Sequence, residues 1–508
     1  MVGGRGSGAR VDEAPNGAYP GWMPRRSRTF SVFLYLLKAA WVLFVLAMPL
    51  LGIWFASSLV AYRNGPVWAT VFAGLLLFPI APCAWELWAR GRRARRPNAR
   101  SPILTTADRI ILRTLAINVT FVCMLLASYP QTGFIALSTR GDWMLASHSS
   151  PLAAKARRVL FDLAQRVEWL YVATHDNPYR KYDDGRDKAK PEPTKEPSPT
   201  PATGASGEAS NPTALPFVAP AAPSWPMPAT LHPLVTSIPA EDEKSIESVA
   251  HYIESHEPDP VGRVKALHDY VADRVAYDAV AYQNETYPPQ DAPTVFATRR
   301  AVCAGYATLL AALGRQAGLD VIFVPGDART DSDASGAHAW NAVRLDGKTY
   351  LIDATWDSGI VEGAKFTKGY RTTYLFTPPT VFGLDHFPDE PEWQLRPAPL
   401  SRGEFLRQPR LSPHFFESGL EFLEAPTTPL AARGGLHLEL RNARRMGLMV
   451  DVTPERDATC TIAPAAPHPN PSIDCSFRKP GDYTLRLFAG PERMGAYEYA
   501  GSLTVHDE

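Results

Sequence analysis

Cysteine is scarce in this chain, with five among 508 residues. That excludes a small fold held together mainly by disulfides, and each cysteine has to be weighed by its own setting. An excess of either charge is also missing. Lys+Arg and Asp+Glu stand at 52 each, so no basic surplus is available to neutralise a phosphate backbone, and nucleic acid is not an expected partner. Metal-ligand spacings are absent too. His251, His256 and His268 do not form a His-Glu-x-x-His pattern, and Asp327, Asp331 and Asp333 lack the glycine and terminal glutamate of an EF-hand loop. These aspartates read as a solvated loop, and no metal or cofactor is expected. No signal peptide fits, because the first apolar run is too long and carries no clear cleavage site. Proline is the residue in excess: there are 48, well above the usual share of about 5%, and their clustering announces a linker.

Long apolar runs come first. After an arginine-bearing, Gly-rich arm over residues 1–29, expected to be disordered, residues 30–148 hold three stretches long enough to cross a hydrocarbon core of about 30 Å. They cover about 39–62, 67–88 and 112–137, with Trp41, Trp54, Trp68, Trp85 and Trp88 near their ends as interfacial anchors. Few ionisable side chains lie inside them, which argues against a transport pathway. The basic arm and the loop Arg90–Arg96 belong on the cytoplasmic side by the positive-inside rule. Three crossings then place everything after about residue 138 in the periplasm or outside the cell. The chain is expected to be an integral membrane protein in contact with lipid bilayer.

Residues 149–175 carry Leu152, Ala156, Val159, Leu160, Leu163, Val167 and Leu170 at helical spacing among charges. Such an amphipathic helix either lies on the membrane or packs against the spans, and packing is the expectation. Residues 185–235 are dominated by Pro, Ala, Ser, Thr and Glu, and read as a semi-extended tether holding the next domain away from the bilayer.

The chemistry concentrates between Val302 and Asp357. Cys303 opens an apolar-periodic run to Leu313 that reads as a helix, with Gly318 as its stop. A thiol at a helix N-terminus faces unpaired N–H groups and the positive end of the helix dipole, which favour thiolate. After a strand from Asp320, the pair Asp346-Gly347 between two β-rich runs signals a two-residue hairpin turn. That turn opposes Leu345 with Lys348, and opposed residues then have numbers summing to about 693 throughout. His338 falls opposite Thr355, so His338, Trp340 and Asp353 share one face, while Val343, Leu345, Tyr350 and Ile352 share the other. An imidazole held by a carboxylate and presented to a helix-capping thiol makes a Cys303–His338–Asp353 triad. Each member has a plain structural alternative: an inert small core residue, a packed histidine, a carboxylate serving backbone donors. Only together do they read as a nucleophile, a base and an orienting group.

These residues also resemble a family. Val302-Cys303-Ala304-Gly305-Tyr306, His338-Ala339-Trp340-Asn341-Ala342-Val343 and Tyr350-Leu351-Ile352-Asp353-Ala354-Thr355-Trp356-Asp357 follow one another as in the transglutaminase-like superfamily. Tyr277-Asp278, Tyr374-Leu375-Phe376, Asp385-His386-Phe387-Pro388 and Trp393-Gln394-Leu395 narrow the resemblance to the kyphoscoliosis-peptidase type. The resemblance covers roughly residues 245–425. It implies an α+β, papain-like core over 241–425, with Cys303 as nucleophile, His338 as base and Asp353 as orienter.

Gln290 is a candidate oxyanion-hole donor beside the Cys303 backbone N–H. Trp340, Trp356 and Tyr306 are candidate cleft residues. The expected chemistry is acyl transfer from an amide through a thioester. With water as acceptor the chain is a peptidase or amidase acting on protein or cell-wall peptide; with a lysine amine it is a cross-linking transglutaminase. A catalytically silent scaffold that binds a partner is the reading outside enzymology.

Beyond Pro397 the pattern changes to alternating strands. Residues 426–508 read as an all-β, immunoglobulin-like sandwich with Tyr483 as a corner tyrosine, serving as a binding or spacer module. Cys460 and Cys475 fall on the two arms of a hairpin there. They are either disulfide partners, if the compartment is oxidising, or two separate core residues. The fold class is therefore multi-domain: transmembrane helices, an α+β core and a β-sandwich.

Overall fold

Apolar stretches poor in helix breakers form the first long helices. The structure, a computed structural model, describes residues 28–95, 104–145, 150–183, 185, 223–329, 335–464, 467–491 and 495–507. Among the described residues, three helices are long and apolar enough to cross a membrane: Tyr35–Tyr62, Val67–Ala94 and Thr106–Ser128. The second is interrupted at Phe78, which takes an extended conformation because proline at 79 disfavours helix in the residue before it. The third ends earlier than its apolar run. Tyr129 leaves the helix ahead of Pro130, and Pro130 opens a separate helix, Pro130–Arg140, which buries Phe134 and Leu137. The run at 112–137 is thus one span plus one packed helix. The basic arm at 1–27 lies outside the described residues.

The chain divides into two units, residues 1–52 with 77–119 and residues 53–76 with 120–508. In the first, the Glu86 carboxylate is buried and ion-paired with Arg90, Arg93, Arg109 and Arg113. A charge in that position is retained by its partners.

The second unit holds everything else of interest. The expected single helix over 149–175 is two: Pro151–Gln165, capped by the Ser150 side chain, and Glu168–Thr174. Ala153 and Ala164 form the buried side of the first helix, while Leu152, Val159 and Leu163 stay exposed, so the apolar stripe is only partly packed. The described chain on both sides of the Pro-rich stretch is fastened to folded structure. Before the Pro-rich stretch, His175, Asn177 and Arg180 bond to Asp327, Gly326 and Asp389. After it, Trp225 donates to the Thr373 carbonyl and the His232 N–H donates to Asp269. Residues 186–222 lie outside the described residues, but the chain on either side of them is fastened to the same domain.

That domain is built on a five-stranded antiparallel sheet. Its strands are β1 (Asp320–Arg329), β2 (Ser335–Leu345), β3 (Lys348–Ile352), β4 (Leu375–Thr377) and β5 (His386–Pro388), in the order β4-β3-β2-β1-β5. Asp346 and Gly347 both have positive φ, as a type I′ turn requires, and they fix Leu345 opposite Lys348 and Asn341 opposite Ile352. Both faces are covered. Val343, Leu345 and Ile352 pack with Leu309 and Leu313 of the helix Cys303–Gln316, and Val324, Trp340 and Leu351 pack with Phe382 and Trp393. Asp327 is a fully buried member of β1, not part of a solvated loop. Its charge is satisfied by His175 and Arg402. Asp331 and Asp333 fall outside the described residues.

The C-terminal β layers begin before residue 426. Arg410–Leu411 (β6) and Leu420–Phe422 (β7) already pair into them. With β8 (Leu430–Ala432), β9 (Gly435–Asn442), β10 (Gly447–Thr453), β11 (Ala458–Ala463), β12 (Ser472–Phe477), β13 (Gly481–Gly490) and β14 (Glu498–Asp507), they form two sheets. One runs β6-β14-β13-β10 with β8 beside β14, and the other runs β7-β9-β12-β11. One core including Leu440, Ile473, Leu485 and Leu503 lies between them. Cys460 and Cys475 are directly opposed on β11 and β12 and joined as a disulfide. The Tyr483 hydroxyl donates to the Lys479 carbonyl, 2.6 Å away.

Candidate active site

Three separated segments meet at one end of the sheet. Cys303 is the first residue of its helix, and Asn341 on β2 ties that helix down by donating to the Ala307 carbonyl at 3.0 Å. His338 lies three residues earlier on β2, and Asp353 follows the last residue of β3, where the hairpin register brings them together. His338 Nε2 is 2.7 Å from Asp353 Oδ2, and the Cys303 side chain lies near enough to His338 to act on its charge. Asp353 is held from its other oxygen by the Thr355 N–H at 2.8 Å. All three side chains are almost wholly buried.

Burial decides the electrostatics. It opposes a charged imidazole at His338, yet the negative charge of Asp353, followed by Cys303, outweighs it and pushes the histidine up to about 10. Burial also works to raise Asp353, but His338 and then His386 hold its carboxyl well below the usual carboxylate range. The pair is thus an imidazolium–carboxylate couple at neutral pH.

His386 is the residue that spacing did not reveal. Its Nε2 lies 3.2 Å from the same Asp353 oxygen and its Nδ1 lies 2.6 Å from Asp385, with the ring 4.0 Å from that of Phe382. Burial lowers its affinity for a proton, but Asp385 and Asp353 raise it more. The signal was in the sequence as Asp385-His386-Phe387-Pro388, but nothing local says that β5 pairs with β1 and so delivers His386 to Asp353. His338, Asp353 and His386 also offer three donor atoms within 4.8 Å of one another. Their mutual hydrogen bonds account for that closeness without an ion.

A second buried cluster braces the site from behind. His268 sits between Asp269 (3.0 Å) and Asp357 (3.1 Å), and Asp357 accepts the Tyr374 N–H. Burial disfavours the His268 cation, but its two carboxylate partners push it up to about 9.

The other sequence candidates divide. Trp356 lines a cleft of about 860 Å³ together with His338, Tyr374 and Asp385 from this domain and Arg410, Glu417 and Tyr499 from the C-terminal region. Trp340 does not; it is 1% exposed and belongs to the core under the sheet. Tyr306 is equally buried, and its hydroxyl donates to the Val275 carbonyl. Both are helix and strand residues whose large rings the core takes up. Gln290 does reach the start of the Cys303 helix, but its oxygen accepts the Val302 N–H at 2.9 Å and its NH2 donates to the Pro288 carbonyl. So oriented, the carboxamide anchors the backbone entering the helix; it does not point toward a substrate oxygen.

The thiol itself has no exposed surface. It shares an apolar cluster with Tyr179, Val302, Ala304, Ala307 and Phe323, with Tyr277 and Tyr287 packed against it.

Residues 247–353 match the family described as the transglutaminase-like superfamily. The stretch bearing this site is therefore transglutaminase-like. Within that superfamily it sides with the kyphoscoliosis-peptidase type. The kyphoscoliosis peptidases of Mus musculus and Homo sapiens are each 35% identical to it over 170 residues, 31% of this chain and 25% of the relative. The Lim and transglutaminase domain protein ltd-1 of Caenorhabditis elegans is 29% identical over 138 residues, 23% of this chain and 19% of its own. The chain thus spans about a quarter or less of the length of these curated relatives. A solved structure described as a crystal structure of a TGase is 23% identical over 26% of this chain and 36% of its own, at a TM-score of 0.20.

Proposed function

We propose that this chain is a membrane-anchored cysteine hydrolase whose C-terminal portion lies outside the cytoplasm, where it acts on amide bonds of proteins or cell-wall peptides. The observation that carries the reading is the bonded pair His338–Asp353 with Cys303 beside it, assembled from a helix start and both arms of one hairpin. With the Sγ proton of Cys303 already on His338, the sulfur attacks the amide carbonyl carbon. The tetrahedral oxyanion is met by the Cys303 and Ala304 N–H groups at the helix start, which have no intrahelical acceptor. As the C–N bond breaks, His338 returns the proton to the leaving amine and a thioester remains. Water activated by the same imidazole then attacks the thioester and releases the acid and the thiol.

The external placement rests on the three apolar helices, the Arg-rich loop after the second and the disulfide between Cys460 and Cys475. The C-terminal layers are read as an immunoglobulin-like module, because the Tyr483 hydroxyl bonds to backbone a few residues upstream as a corner tyrosine does.

A lysine amine as acceptor is the second reading, favoured by the water-poor, tyrosine-lined setting of Cys303. The test uses the full chain in detergent, wild type and Cys303→Ala, with a peptide library read by mass spectrometry for new termini and for incorporated amine. Cysteine-dependent cleavage is expected. Cysteine-dependent amine incorporation alone would give the second reading, and no difference between the two proteins would remove both.

A further inference from the structure

Cys303 and Tyr179 are 0% and 1% exposed, and they bury each other. Tyr179 does not come from the transglutaminase-like stretch. It arrives on residues 175–182, which follow the helix Glu168–Thr174 and run over the domain before the Pro-rich stretch. Its ring is clustered with small side chains, Ala281, Ala304, Ala307 and Ala339, and with Phe323, and Tyr287 stands edge-on at 5.5 Å. Four alanines leave a depression of a shape that an aromatic ring fills.

The fastenings on either side are polar and few. His175 Nε2 meets Asp327 at 2.8 Å, and the Asn177 amide donates to the Gly326 carbonyl at 2.9 Å, opposite His338 across the strand pair. Arg180 meets Asp389 at 2.9 Å, and the Tyr182 hydroxyl accepts the Gln290 N–H. No residue of the segment belongs to a strand, so lifting it breaks no sheet pairing. The Tyr179 hydroxyl is buried without a hydrogen-bond partner among the described residues. The seat therefore accepts the ring and makes nothing of the phenol oxygen.

We propose that the depression over Cys303 is a binding site for an extended peptide bearing an aromatic side chain, and that residues 175–182 occupy it intramolecularly and keep the thiol latent. The proposal rests on the cysteine-enzyme reading for its purpose, but its geometry can be tested apart from turnover. Displacing the segment uncovers Cys303 beside His338, and an incoming peptide with a Phe, Tyr or Trp in the vacated seat lays its backbone across the thiol.

The experiment measures iodoacetamide alkylation of Cys303 in the full chain in detergent, quantified on the peptide that contains it. Alkylation of a buried thiol reports how often the site opens, and Tyr179→Ala is expected to raise its rate about tenfold or more. Tyr179→Phe should stay as closed as wild type. Asn177→Ala with Arg180→Ala, which removes fastenings and keeps the Tyr179 ring, should move the rate in the same direction as Tyr179→Ala. A synthetic peptide spanning 175–182 should protect Cys303 in the Tyr179→Ala chain, and the same peptide with alanine for its Tyr179 equivalent should not. Wild-type alkylation rates in both opened variants, or equal protection by the two peptides, would overturn the proposal. If Cys303 opens as expected and yet no library peptide is turned over, only the enzyme reading fails. If wild type turns peptides over and the variants alkylate no faster, only the latent-segment proposal fails.

Discussion

One carboxylate oxygen of Asp353 serves two imidazoles, and that arrangement sets the proton affinity of the candidate base. His386 is bonded on both nitrogens to carboxylates and raised above its ordinary value by Asp385 and Asp353, so it shares the Asp353 oxygen with His338. It therefore offsets part of the Asp353 charge that His338 would otherwise feel alone. Replacing His386 with phenylalanine, which suits a site stacked on Phe382, leaves the full carboxylate charge to His338. His338 should then hold its proton to still higher pH. The expected outcome is an alkaline limb of the turnover–pH profile displaced upward from near 10, with a lower rate at its plateau because Asp353 has lost one of its supports. A profile unchanged in position would mean that His386 is only packing.

At the scale of elements, the hairpin and the helix that starts at Cys303 do most of the positioning. Gly326 on β1 lies opposite His338, between β2 and β5. A Cβ at that position would come within 2.4 Å of the Phe387 carbonyl oxygen and 2.5 Å of the Trp340 ring. Gly326→Ala should thus cost about 1–3 kcal/mol through overpacking, read as a lowered thermal midpoint, and should reduce Cys303-dependent turnover because His338 shifts with its strand partner. Much of this was legible in the sequence. Asp346-Gly347 specified the turn, the turn specified the register, and the register placed His338 and Asp353 on one face. Cys303 at a helix start was legible for a similar reason, since the apolar period of that helix is local. Trp340, Tyr306 and Gln290 were misjudged because whether a side chain faces the cleft or the core depends on what covers the sheet. The covering pieces, Tyr374 to Leu395, announce no such placement in their own pattern. His386 was visible as a motif but not as a neighbour of Asp353, since the pairing of β5 with β1 joins residues some sixty positions apart.

For the molecule as a whole, the domain does not begin where the catalytic pattern begins. Asp327 has no exposure and depends on His175 and Arg402; Asp389 depends on Arg180; the Ser138 carbonyl accepts from Arg407. A chain cut to residues 236–508 loses every partner in that group that lies before the Pro-rich stretch, and also the Trp225 and His232 contacts. It should unfold at lower denaturant concentration than a chain cut to begin at residue 130, and equal midpoints would show these contacts to be idle. Leaving a buried aspartate with half its partners is the costly part of the cut, on the order of 1–3 kcal/mol for each unsatisfied group.

The two ends of the Pro-rich stretch are both fastened to one folded body, so breaking the covalent chain there does not release either side. A protease that nicks anywhere between residues 186 and 222 would yield two polypeptides that still travel together through a sizing column. The smaller one, carrying the apolar helices, would hold Tyr179 in place as a detachable subunit. The apolar helices and the cover over the thiol would then be lost in a single dissociation step, set by dilution and no longer by the connectivity of the chain.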